Sequence, residues 1–302
     1  MDPVERLYLD ALMEDPEVPA RSLRPQLLAG ARARRRPAAP TAAWAEPYAG
    51  RVAAMDALLA SAVDDDWSRI IVEGWTLQEL VAHLAAKDGL LAASVGAPVL
   101  GPPIGAVDSL SRTNDVQAYE RARSPEQTRR DWRAQADALC RHLAELPPTT
   151  QATVDGLEAP VNDHILARCL ETWVHTSDAA ETAEIRLPDP IARHVHPTAD
   201  LCARLLPFTM LFGGVDGTGR TLHLTLTGEG GGEWRVALGV EDAAPGEPDA
   251  RITADVKKFC FLLGGRGIPP TSPQTWRVIS RWPGTCWPPP PPFQARNPIK
   301  RD

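Results

Sequence analysis

The segment Asp163–Glu181, DHILARCLETWVHTSDAAE, carries two helical patterns at once. Ile165, Leu166, Cys169, Leu170, Trp173 and Val174 form an apolar face, while His164, Arg168, Glu171, His175 and Asp178 recur every three to four residues beside it. Offsets of three and four return to nearly the same direction on a helix, so the second set is a polar stripe. Any fold of this chain must bury the first face against other helices while accommodating a line of imidazoles, carboxylates and a guanidinium next to it.

Glu171 and His175 are one helical turn apart, so a carboxylate oxygen and an imidazole nitrogen can meet a single divalent cation. Such a pair suits zinc or a similar borderline metal. Catalytic zinc sites commonly use three protein ligands and keep a fourth position open. In a helical bundle the third ligand comes from another helix. His83, in the middle of ELVAHLAAKD, is the best candidate. On spacing alone the opposite reading stays open, because a histidine in an apolar helix is often a hydrogen-bonded core residue and Glu-x-x-x-His arises readily by chance. His142, His194, His196 and His223 have no partner at ligand spacing and read as surface or packing residues. Arg266, in LLGGRG, follows a helix end with glycines at the cap; it either caps that end or aims its planar fork at a carboxylate.

Around these residues the chain divides by texture. Residues 1–41 are an Arg-, Ala- and Pro-rich extension or linker. Residues 42–186 contain four helical stretches, and residues 187–282 one more helix followed by alternating strands. The first stretch spaces Val52, Met55, Leu58, Leu59 and Val63 helically, and Asp64, Asp65 and Asp66 close it ahead of an irregular WSRIIVEG. The second opens with Thr76 and Glu79 as a capping box and continues through Leu77, Leu80, Val81, Leu84 and Leu91. A third runs from about Pro125 to Leu146, and Asn162 or Asp163 is placed to cap the fourth. In the second half TLHLTLTG, EWRVALGV, ARITAD and TWRVI read as strands, with GEGGGE as a hairpin turn and DVKKFCFLLGG as a helix. The expected class is α+β in two domains: a four-helix bundle, then a small α+β domain with a mainly antiparallel sheet.

Composition narrows the function. Lys and Arg number 32 against 39 Asp and Glu, a net charge of -7, which argues against nucleic acid as the main partner. Cys140, Cys169, Cys202, Cys260 and Cys286 are scattered and never paired as CxxC, so neither a disulfide framework nor a thiolate zinc site is expected. No apolar run is long enough to span a membrane, and the start has no secretory pattern, so a cytoplasmic monomer or small homo-oligomer is expected.

EGWTLQELVAHLAA resembles the Gly-Trp-Thr-x-x-[Asp/Glu]-Leu-x-x-His-Leu signature of DinB-like bundles in the mycothiol-dependent maleylpyruvate isomerase family. CLETWVHTSDAAE resembles that family's second signature, Glu-x-x-x-His followed by Asp. The resemblance covers about residues 42–280, its C-terminal part being similar to sterol carrier proteins. It implies that His83, Glu171 and His175 bind a divalent metal, usually zinc, with the open position for water or a thiolate. It also implies mycothiol or a similar thiol as cosubstrate and a small, carboxylated electrophile such as maleylpyruvate, which the thiol isomerises or receives by S-transfer. From the residues themselves, Arg266 is the candidate for the substrate carboxylate, and Asp178 either orients a ligand from behind or is a plain helix-surface carboxylate. One departure is Ser177, where the family often has Trp before the Asp. A non-catalytic metal-binding regulator and a metal-dependent hydrolase are the rival readings.

The end of the chain departs furthest. Residues 283–302 form a proline-rich, irregular tail, where the family usually closes its domain with a Gly-Asp turn and an Ala/Leu-rich helix. Reading GC-rich alanine codons one base out of step yields proline, so a slipped frame near Ser280 accounts for the tail.

Overall fold

The computed structural model describes residues 36–239 and 246–267 and the backbone of 277–280. The N-terminal extension up to residue 35 and the tail with its expected frame slip lie outside the described residues.

The helical half begins with α1 (Glu46–Leu59), whose Val52, Met55, Leu58 and Leu59 are all buried as their spacing predicts. Val63 is not part of that face: it is 63% exposed beyond the helix end. The three aspartates instead open the short α2 (Asp64–Trp67), the N-terminus being where a helix favours negative charge. The stretch expected to be irregular holds a hairpin, β1 (Ile70–Val72) and β2 (Trp75–Thr76). Its turn places Glu73 and Gly74 at φ 56 and 82. Two left-handed residues are what a two-residue hairpin turn requires, and glycine supplies one without strain.

From that hairpin springs α3 (Leu77–Ser94), fixed by the predicted capping box. Thr76 Oγ1 accepts from Glu79 N at 3.2 Å, and Glu79 Oε2 accepts from Thr76 N at 2.9 Å. Next comes α4 (Ser109–Glu120), a helix that the sequence pattern did not reveal. Then follow α5 (Pro125–Leu143), a second hairpin of β3 (Gln151–Val154) and β4 (Leu157–Pro160), and α6 (Val161–Thr182). Neither Asn162 nor Asp163 caps α6, because Pro160 already stands at the N-cap position; Asp163 pairs with Arg204 at 2.8 Å instead.

The α+β half comprises α7 (Ala192–Phe212), β5 (Thr221–Thr227), β6 (Gly232–Ala237), β7 (Ala250–Asp255), α8 (Val256–Leu263) and β8 (Arg277–Ser280). The sheet order is β6-β5-β7-β8. The β5/β6 and β7/β8 pairs are antiparallel, and β5/β7 is parallel. Alternation along β5 buries Leu222, Leu224 and Leu226 together, as period-two spacing demands.

Each half has its own apolar core, and α6 serves both. Ile165, Cys169, Ala179 and Ala180 belong to the bundle core, while Trp173 belongs to the core beneath the sheet. With α6 held from two sides, its remaining stripe faces a polar space shared with α3 and the segment after α8.

Candidate metal centre

The polar space gathers residues from α3, α4, α6 and the segment after α8. His83 is 9% exposed; its Nε2 lies 2.7 Å from Glu171 Oε1 and its Nδ1 lies 3.1 Å from Thr113 Oγ1 on α4. His175 is 2% exposed, and its Nδ1 lies 3.2 Å from Asp178 Oδ2. The two imidazoles stand edge to face, ring centres 5.5 Å apart, and Trp75 of β2 packs 4.9 Å from the His83 ring. One donor atom from each of His83, Glu171 and His175 lies within 4.8 Å of the others.

The stripe on α6 now has a structural meaning. Arg168, three residues before Glu171, is hydrogen-bonded through Nη1 to Glu171 Oε2. Asp178, three residues after His175, holds the His175 ring and is itself gripped by Arg266: Nε to Oδ1 at 2.8 Å and Nη2 to Oδ2 at 2.7 Å. His164 is separate, bonded to the Ala152 carbonyl oxygen at 3.0 Å. Arg266 is therefore beside the cluster, but two of its nitrogens are committed to a protein carboxylate.

Electrostatics favour ligand-competent forms. Burial pushes His83 down to about 4, against the pull of Glu171, so its ring is neutral at pH 7. Burial works to raise Glu171, but Arg168, Lys87 and the contact with His83 outweigh it and hold the carboxyl well below the usual range. Burial likewise works to raise Asp178, and its hydrogen bonds from His175 and Arg266 win, lowering it. At the β1–β2 turn Glu73 is raised, first by the protein crowded around its carboxyl, with His175 and Arg266 opposing and Glu171 and Asp178 adding to the shift.

These residues fit a divalent ion of the zinc kind. Two imidazoles and a carboxylate are an ordinary zinc donor set, and each ring nitrogen directed away from the cluster has a partner that sets the ring. Thr113 suits either state of His83, since a hydroxyl both donates and accepts. Among the described residues this is the one His/Cys/Asp/Glu group with such convergence.

Several site residues escaped the sequence reading. Lys87 follows His83 by four positions in HLAAKD, a helical spacing that puts both on one face, whereas Asp88, one position further on, lies off that face and gave no such signal. Thr113 gave no signal, because its helix was not recognised, and neither did Glu73.

Two buried histidines and a partly exposed glutamate carried by two helices of a bundle define a candidate metal centre. Residues 49–180 match the family model described as mycothiol maleylpyruvate isomerase N-terminal domain. Two Mycobacterium tuberculosis proteins described as uncharacterized, from strains CDC 1551 and H37Rv, are 25% identical over 222 residues, 70% of this chain and 80% of theirs. The crystal structure of the mycothiol-dependent maleylpyruvate isomerase is similar at a TM-score of 0.49 and 19% identity, over 74% of this chain and 88% of that one. A histidine mutant of that enzyme gives a TM-score of 0.47 and 18% identity over the same shares. Among the described residues no helix is long and apolar enough to cross a membrane.

Proposed function

We propose that this chain is a divalent-metal-dependent enzyme in which a low-molecular-weight thiol of the mycothiol kind isomerises, or is transferred to, a small carboxylated electrophile such as maleylpyruvate. The observation that carries the reading is the convergence of His83, Glu171 and His175, supported by the match of residues 49–180 to that family model. A zinc-like ion held by these three residues would keep a sulfur as thiolate at neutral pH, where a free thiol is mostly protonated.

The chain's own residues do the rest. Thr113 and Asp178 fix the two imidazole rings by their outer nitrogens. Arg266 locks Asp178 in a two-point ion pair, and Asp178 in turn holds the His175 ring. Lys87, hydrogen-bonded to Ser109 at 2.7 Å, adds a second cation on the Glu171 side. Trp75 and the bundle core limit water around His83.

The test is elemental analysis of the purified protein, followed by turnover of electrophile with and without thiol. Expected are about one metal ion per chain, its loss in His175→Ala with the fold retained, and turnover only when thiol is present. Equal metal content in wild type and His175→Ala overturns the metal assignment; turnover without thiol overturns the thiol chemistry in favour of hydrolysis.

A further inference from the structure

Arg168 is a stripe residue that metal binding and substrate attraction leave without a task. Its side chain is buried and joins two carboxylates on different helices: Nε donates to Asp88 Oδ1 at 2.9 Å, and Nη1 donates to Glu171 Oε2. Its Nη2 reaches the Leu84 carbonyl oxygen at 3.4 Å. Asp88 is fully buried, and its other oxygen accepts from the indole Nε1 of the fully buried Trp132 at 3.1 Å. Every edge of the guanidinium is thus anchored to α3 or α6. A planar fork fixed at its far side cannot follow a carboxylate that rotates.

The consequence falls on Glu171. Oε2 is taken by Arg168, and Oε1 alone faces His83 and the donor cluster. We propose that Asp88 and Arg168 form a buried clamp that limits Glu171 to one ligand oxygen and so keeps a coordination position free for the incoming thiol. The clamp rests on the metal reading above. With both oxygens turned inward, Glu171 and two imidazoles would already fill four positions, the closed arrangement of a structural zinc site. Charge points the same way. An Arg168–Asp88 pair alone would balance, whereas the trio with the partly exposed Glu171 carries one surplus negative charge. Lys87 is itself engaged with Ser109 and lies 3.6 Å from Asp155. A divalent ion at the cluster offsets that surplus.

Cobalt(II) is the probe, since its visible absorption weakens as coordination number rises. The full-length protein is titrated with Co2+ as wild type, Arg168→Met and Arg168→Lys, with a thermal melt of each. Expected for Arg168→Met is about 10–100-fold weaker Co2+ binding, the usual size for losing a group that orients a metal ligand, together with a fall in visible absorption as Glu171 turns in both oxygens. Arg168→Lys restores charge without a fork to span both carboxylates, so it is expected to fold and still show the weakened absorption. Should the methionine variant not fold, the lysine variant decides. Unchanged affinity and spectrum in a folded variant overturn the clamp and leave Arg168 a packing residue. A wild type that takes up no Co2+ overturns the metal reading, and the clamp falls with it.

Discussion

His83 meets the cluster as a neutral ring because burial, its largest influence, opposes the charged form. Its folded pKa of about 4 lies below the ordinary 6.5, so the unfolded chain takes up a proton that the folded chain refuses. The metal-free protein should therefore lose stability as pH falls from 6.5 towards 4, by about 1.4 kcal/mol per unit and on the order of 3 kcal/mol in all. Glu171, held low, adds its own loss only beneath the ordinary carboxylate range. Urea denaturation of metal-free wild type and His83→Gln at steps between about pH 7 and 5 checks this; parallel curves for the two would show that His83 does not set the slope. Arg266 acts at the same scale through a two-point grip on Asp178, which in turn holds His175. Arg266→Lys keeps the charge and loses the grip, so turnover should fall by about 10–100-fold with little change in melting temperature. Equal losses of activity and stability would return Arg266 to a helix-end role.

The elements that place these side chains differ in how visibly the sequence writes them. The capping box at Thr76 and the apolar rhythm from Leu77 to Leu91 announce α3, and seven residues after the cap His83 points into the bundle. Thr76→Ala should cost about 1 kcal/mol in chemical denaturation while leaving metal content whole, because the ring is anchored by Thr113 and not by the cap. A change in metal content of equal severity would mean that the cap fixes the register of the whole helix. The opposite case is α4. SLSRTNDVQAYE buries Arg112, Thr113, Gln117 and Glu120 beside Val116, so it packs through hydrogen bonds such as Gln117 to the Glu79 carbonyl and leaves almost no apolar period to read. The parallel β5/β7 pairing was equally hidden, since alternation marks a strand's faces and not the direction of its neighbour. Local chemistry thus pointed to the stripe on α6 and to His83 on α3 as the third candidate ligand. The supports behind them are contacts between distant positions, as with Arg266 and Asp178, 88 residues apart, and no spacing rule reaches that far.

Between the two halves of the described chain, one close approach decides where Arg266 stands. The end of α8 lies against α6, where a Cβ on Gly264 would come within 2.7 Å of Val174 Cγ2. Val174 is buried and β-branched, so it has little freedom to turn aside. The candidate site draws His83, Glu171 and His175 from the helical half, and Arg266, two residues past this contact, reaches it from the α+β half through Asp178. Gly264→Ala should therefore push α8 away from α6, with an overpacking cost of about 1–3 kcal/mol, and loosen the Arg266–Asp178 grip. The donor cluster itself would be left in place. The expected result separates two measurements that other site variants move together: metal content stays at the wild-type level, while turnover falls towards that of Arg266→Lys. Combining Gly264→Ala with Arg266→Lys should then add little further loss of turnover, because both act through one contact and such changes are not additive. Full additivity in the double variant, or loss of metal in Gly264→Ala alone, would show that the two halves do not meet at the centre through Arg266.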